Sequence, residues 1–141
     1  MRRRFVLMPL LAAFALIACG SPPQASEHEK AAVSAGEAWL AYLDAGAYGE
    51  GWDSAARLFK ASVTRDQWAA AAENVYTQFG HPQQRKLIAA KHSTSLPGLP
   101  SGDYVVIQYR IGLANGSGLE TLTMTLEEGE WKATAYFVRP E

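Results

Sequence analysis

The chain has 141 residues, 48% of them hydrophobic, with 13 lysines and arginines against 14 aspartates and glutamates. That length bounds one domain with its own core, and the near-neutral balance excludes the basic character needed to neutralise nucleic-acid phosphates. The only cysteine, Cys19, excludes an intrachain disulfide, so the fold must rest on packing.

Arg2, Arg3 and Arg4 open the chain, and Phe5 to Ala18 is apolar apart from Pro9. A positive start, a short apolar run and a small-residue cleavage site describe a secretory signal peptide. At about fourteen residues the run falls short of the roughly twenty that cross a bilayer as a helix. Leu16-Ile17-Ala18-Cys19 resembles the lipobox of bacterial lipoproteins, in which cleavage leaves the cysteine first, with lipid on its thiol and amine. The resemblance implies a signal peptide over 1–18, lipidation of Cys19 and a membrane partner reached through that lipid. Gly20 rather than Asp after the cysteine favours, by the same resemblance, the outer membrane of a two-membrane bacterium, with the domain facing the periplasm. One myristoyl-sized chain binds a bilayer reversibly, at about 0.8 kcal/mol per buried CH₂, and several hold it. Residues 1–18 carry three arginines and no acid, so the remainder holds 10 basic against 14 acidic side chains, a net −4. Gly20-Ser21-Pro22-Pro23 buries too little to fold. Residues 19–28 therefore read as lipidated cysteine and tether, and 29–141 as a single α+β domain.

From about Glu29 to Asp44, Ala32, Val33, Gly36, Trp39, Leu40 and Leu43 recur at three- and four-residue steps, one stripe of a helix. Gly46 suits its C-terminal stop. A second, shorter helix is expected to carry Trp52, Ala56 and Phe59 on one face. Thr64 as N-cap with Gln67 three residues on is a capping box, with Val63 stapled to Trp68, and Gly80 with His81-Pro82 ends that helix. The period then changes. Leu87 to Lys91 is a first strand, and Pro97 to Gly102 a turn region. Val105, Ile107, Tyr109, Ile111 and Leu113 alternate with Tyr104, Val106, Gln108 and Arg110, a half-buried strand. Asn115 to Gly118 reads as a loop. Leu122, Met124 and Leu126 then face one side of a strand and Thr121, Thr123 and Thr125 the other. Glu127 to Glu130 is a tight turn, and Trp131 to Val138 the last strand. Helices followed by a strand meander predict an α+β fold, the helices packed on one face of a four-stranded antiparallel sheet.

Several of these pieces together resemble a bacterial domain-of-unknown-function family, number 4019. They are Trp39, Asp44-Ala45-Gly46-Ala47-Tyr48, Trp52, Phe59 and Trp68, then Thr94-Ser95-Leu96-Pro97-Gly98 and Gly102-Asp103-Tyr104-Val105-Val106 with Gln108-Tyr109. Glu120-Thr121, Glu128-Gly129-Glu130-Trp131 and Tyr136-Phe137 complete the match, from about Ala31 to Arg139. One departure is visible: Asn115 is followed by Gly116 where the family often has Lys. The resemblance implies an exported protein with a cystatin-like or nuclear-transport-factor-like fold. It implies no reaction.

Chemistry-bearing motifs are sparse. His28, His81 and His92 stand at no metal-binding spacing, and Glu27-His28-Glu29 reads as solvated charge at a helix start. No Gly-x-Ser-x-Gly elbow and no phosphate loop is present. No catalytic residue, metal ligand or cofactor is assigned. The four tryptophans read as core, each with an N–H in need of a partner. One candidate site remains: a cone between helices and sheet lined by Tyr109, Val105 and Ile107 from the strong strand and Trp52 and Phe59 from the helices. A filled core, with the Tyr109 hydroxyl satisfied by backbone, is the expected alternative.

Two functions follow as expectations. The first is a membrane-anchored, periplasm-facing lipoprotein that acts as a non-enzymatic binding module for an envelope protein or small ligand, with no nucleic-acid partner. The second is a small cavity enzyme, an isomerase or hydratase, in which an acid or histidine would lie buried beside Tyr109.

Overall fold

The structure, a computed structural model, describes residues 25–141. Helix α1, Glu27–Asp44, begins two residues before the expected Glu29 because Ser26 and Glu29 close a capping box: the Ser26 N–H donates to Glu29 at 2.8 Å and the Glu29 N–H to Ser26 Oγ at 3.2 Å. The expected second helix is two short ones, α2 (Tyr48–Asp53) and α3 (Arg57–Ser62). The break has a physical cause. Ala56 is extended, and its N–H reaches 2.8 Å across to the carbonyl of Ala133, so that backbone serves the sheet and not a helix. Helix α4, Arg65–Phe79, is capped by Thr64 and Gln67 and stops at Gly80, where φ is +79°.

Four strands follow in one antiparallel sheet, each beside its chain neighbour: β1 (Gln84–Ser93), β2 (Tyr104–Leu113), β3 (Gly116–Glu127) and β4 (Glu130–Pro140). β1 is longer than the apolar stretch Leu87–Lys91 that marks it, because pairing with all of β2 extends it at both ends. The glycine-rich loop expected at 115–118 is mostly strand. Leu113 pairs with Gly116, and Gly118 lies opposite Ile111, where a Cβ would stand 3.1 Å from the Arg139 carbonyl. Glu128 and Gly129, at φ +54° and +82°, close the last hairpin, as two-residue turns of that kind require.

The inner face of the sheet carries Val105, Ile107, Tyr109 and Ile111 from β2 and Leu122 and Met124 from β3. Ala32, Gly36, Trp39, Leu40 and Leu43 of α1 cover it. Gly36 sets the separation of the two layers: a Cβ there would lie 3.0 Å from Leu122 and 3.2 Å from Ile107. Every buried hydrophobic residue of the described chain lies between Ala32 and Ala133. The outer face holds the alternate residues in cross-strand rows: Lys86, Arg110, Leu119 and Arg139; then Ala89, Gln108, Thr121 and Phe137; then Lys91, Val106, Thr123 and Ala135. Beyond these rows the 94–103 loop folds over Tyr104, whose hydroxyl donates to the Pro100 carbonyl at 2.6 Å. Along the free edge β1, a bulge at Ile88 interrupts the register.

Candidate functional site

Glu120 stands in phase with Leu122 and Met124, so strand alternation turns its carboxylate inward, where it is fully buried. An unpaired charge there is prohibitive, and Arg85 on the inner face of β1 answers it. Its Nε lies 2.5 Å from Glu120 Oε2 and its Nη2 3.2 Å from Oε1. The same guanidinium forks onto Asp44, the last residue of α1, with both contacts at 3.0 Å. Tyr136 of β4 donates to Glu120 Oε1 at 2.8 Å, and Tyr76 of α4 lies 2.5 Å from the Tyr136 oxygen. Tyr136 has one hydroxyl proton and gives it to the carboxylate, so Tyr76 is the donor in that pair. The Tyr76 ring is stacked between Tyr48 and His81.

Burial acts against the charge on Arg85, but the hydrogen bonds it donates to Asp44 and Glu120 overcome it and hold the guanidinium above its ordinary value. Burial, then the Glu120 charge, raises the Tyr136 hydroxyl well above the normal phenol range, and burial raises Tyr76 as well. Both phenols therefore stay protonated as donors. The result is a clamp that fastens α1 and α4 to β1, β3 and β4. Glu120 Oε1 thus accepts from Arg85 and Tyr136, and Oε2 from Arg85.

Tyr109 is directly opposite Glu120 in the β2–β3 ladder and is 2% exposed. Its hydroxyl has no hydrogen-bond partner among the described residues, in place of the expected backbone bond. Burial, with the nearby Glu37 charge, pushes it up to about 12. Val105 and Ile107 lie beside it on the same strand face. Phe59 belongs to the same continuous core, in its aromatic part, edge-on to Trp68 at 4.9 Å and to Trp39 at 6.2 Å. Trp52 is half-buried at the rim of that part, its Nε1 donating to the Val63 carbonyl at 2.8 Å. Trp39 and Trp68 likewise give their N–H to the carbonyls of Gly51 and Tyr48. Cys19, with the signal peptide and most of the tether, lies outside the described residues.

The histidines are more engaged than their spacing suggests. His28 stacks on His92 at 4.7 Å, and His92 Nε2 lies 2.9 Å from Asp103. Glu29 accepts the His92 backbone N–H at 3.1 Å. The Ser26 and then the His92 N–H hold the Glu29 carboxyl below the usual carboxylate range. No three His, Cys, Asp or Glu among the described residues are placed to hold a metal.

A surface cleft lies elsewhere, between α1 and β4. Its lining includes Ala35, Ala38 and Tyr42 of α1, Ser54, and Trp131 and Lys132 of β4, and its volume is about 230 Å³. Tyr42 is 40% exposed, an aromatic off the buried stripe of its helix. That position was the available signal, since the stripe arithmetic alone leaves Tyr42 on the solvent side.

Fold and site together define a small α+β domain with one charged clamp inside and one aromatic cleft outside. The family model described as "Protein of unknown function (DUF4019)" matches residues 35–136, and the chain belongs to that family. No curated protein matches the chain.

Proposed function

We propose that the chain is a membrane-anchored, periplasm-facing lipoprotein whose domain is a non-enzymatic binding module, receiving an envelope protein or small ligand in the cleft between α1 and β4. The cleft carries the reading: its lining combines the aromatic side chains of Tyr42 and Trp131 with small alanines, a serine and a lysine, the mixture of rigid apolar and polar groups that recognition uses. Engagement of both Glu120 oxygens within the clamp adds support. The order of Arg2–Arg4, apolar run and Cys19 supports the anchor and its envelope address.

Cross-linking in membranes, followed by mass spectrometry, tests the reading. Ala38→Trp fills the cleft and is expected to lose the partners that the unaltered protein recovers. Recovery of the same set would remove the cleft from the proposal. Cys19→Ser is expected to abolish incorporation of labelled fatty acid and partitioning into detergent. Continued incorporation would remove the anchor.

The orphan hydroxyl of Tyr109 beside Glu120 favours the second reading, a small cavity enzyme. Tyr109→Phe separates the two. A buried hydroxyl without a partner contributes nothing, so the substitution is expected to leave stability within about 0.5 kcal/mol or to raise it. A protein so altered that folds normally yet fails to complement a deletion strain would carry the case for the enzyme.

A further inference from the structure

Residues 25–80 hold eight acidic and four basic side chains, and residues 81–141 six of each. Within the sheet, the three middle rows of the outer face hold Lys86, Lys91, Arg110 and Arg139 and no acid, and Glu141 stands at the end of the next row, opposite Ser117. All four are exposed. Among the described residues, Lys86, Lys91 and Arg139 form no ion pair, and Arg110 meets only Glu141, at 3.9 Å. Four cations on one side of a domain with net negative charge form a patch, not a solvated average.

The shape of the face says what covers it. Four strands spaced about 4.8 Å apart make a surface roughly 15 Å wide. Between the cations lie Leu119, Val106, Gln108, Thr121 and Thr123, and the most exposed large apolar side chain of the face is Phe137, 56% exposed. A stable protein interface needs a broad desolvated apolar centre, and here a single ring projects among cations, threonines and Gln108. A lipid surface asks for less: cations at the headgroup phosphates, and an aromatic ring at the level where headgroup meets acyl chain. Phe137 pairs across the ladder with Thr121, in the row next to Lys86, Arg110 and Arg139.

We infer that the outer face of the sheet rests on an anionic phospholipid surface, with Lys86, Arg110 and Arg139 at the phosphates and Phe137 in the interface. The inference builds on the anchored reading and gives the domain an orientation. α1 covers the opposite face of the sheet, and the seven steps from Cys19 to Ser26 limit the distance between the anchor and the start of α1 to about 25 Å, so the anchor holds the domain close to the same membrane. The cleft between α1 and β4 is on the helix side, so it then opens away from the membrane, towards an incoming partner.

The test uses residues 25–141 without the lipid. This part contains the whole buried core, and a melting curve verifies its folding. It is floated with vesicles of phosphatidylcholine alone and with an equal mixture of phosphatidylcholine and phosphatidylglycerol. Binding is expected only to the mixture, and it is expected to weaken as salt rises. Lys86→Glu, Arg110→Glu and Arg139→Glu together should weaken it about a hundredfold, from roughly 1 kcal/mol for each cation lost. Phe137→Ser should weaken it about tenfold. These side chains are exposed, so the melting curve should stay in place. Binding to neither vesicle, equal binding to both, or an unchanged affinity in the triple variant overturns the inference. So does binding to soluble polyglutamate without binding to vesicles, which would assign the face to an acidic protein. Because Cys19 is absent from the tested part, failure of this inference and failure of the anchor are read independently.

Discussion

Arg85→Met should lower stability by about 3–5 kcal/mol, the cost of leaving a buried carboxylate without its counter-ion. Glu120 is fully buried, and the Arg85 side chain is only 19% exposed, so water cannot replace the guanidinium cheaply. For a domain of this size the loss corresponds to a fall of roughly 10–20 °C in Tm. Arg85→Met combined with Glu120→Met removes both charges and should recover most of the loss. Denaturant titration of the three proteins decides it. A single-variant deficit under about 1 kcal/mol would show that the clamp is not a desolvated pair.

Trp39→Ala is expected to cost about 3–5 kcal/mol, by a different route. The ring is 4% exposed and meets Tyr136 at 5.5 Å, Trp68 at 5.9 Å and Phe59 at 6.2 Å. Its Nε1 is the donor to the buried carbonyl of Gly51, 2.8 Å away. Truncation opens a cavity where α1, α3, α4 and β4 meet, and it leaves the Gly51 carbonyl in α2 with only the Ser54 hydroxyl, at 3.2 Å, as a side-chain donor. Trp39→Phe keeps most of the volume and loses the donor, so it should cost less than half as much. Hydrogen exchange should report both variants locally, with α2 losing protection before the sheet does. If Trp39→Ala unfolds within 1 kcal/mol of the parent, the cluster closes without it.

The fold was legible because its signals are periodic. The Val105-to-Leu113 alternation and the Thr64–Gln67 box each name an element and its boundary, and both stand where expected. The short helices were not legible as two. What divides them is the Ala56–Ala133 hydrogen bond, a contact between residues far apart in the chain. The clamp leaves a trace in the sequence: Glu120 is an acid in phase with Leu122 and Met124, and Arg85 a base in phase with Leu87. A charge on an apolar face asks for a partner, but strand phase cannot say which residue of another strand or helix supplies it. Tyr109 shows the other limit. Its burial follows from alternation, while the unpaired state of its hydroxyl depends on backbone placement at ångström scale.

The layer order has a consequence for synthesis. Every strand pairs only with its neighbour in the chain, so the sheet assembles by hairpins with little loop to close. The helices that cover it come first in the chain, and chains are made from the N-terminus. Trp39, Leu40 and Leu43 therefore leave the ribosome some sixty residues or more ahead of the Ile107 and Leu122 side chains they will pack against. Asp44 waits for Arg85, and Tyr76 for Tyr136. Until the last strand is made, the nascent chain presents an apolar helix with no surface to cover, the kind of segment that holdase chaperones bind. Dependence on such a chaperone should fall sharply in a circular permutant that places the sheet before the helices, although its final fold would be the same.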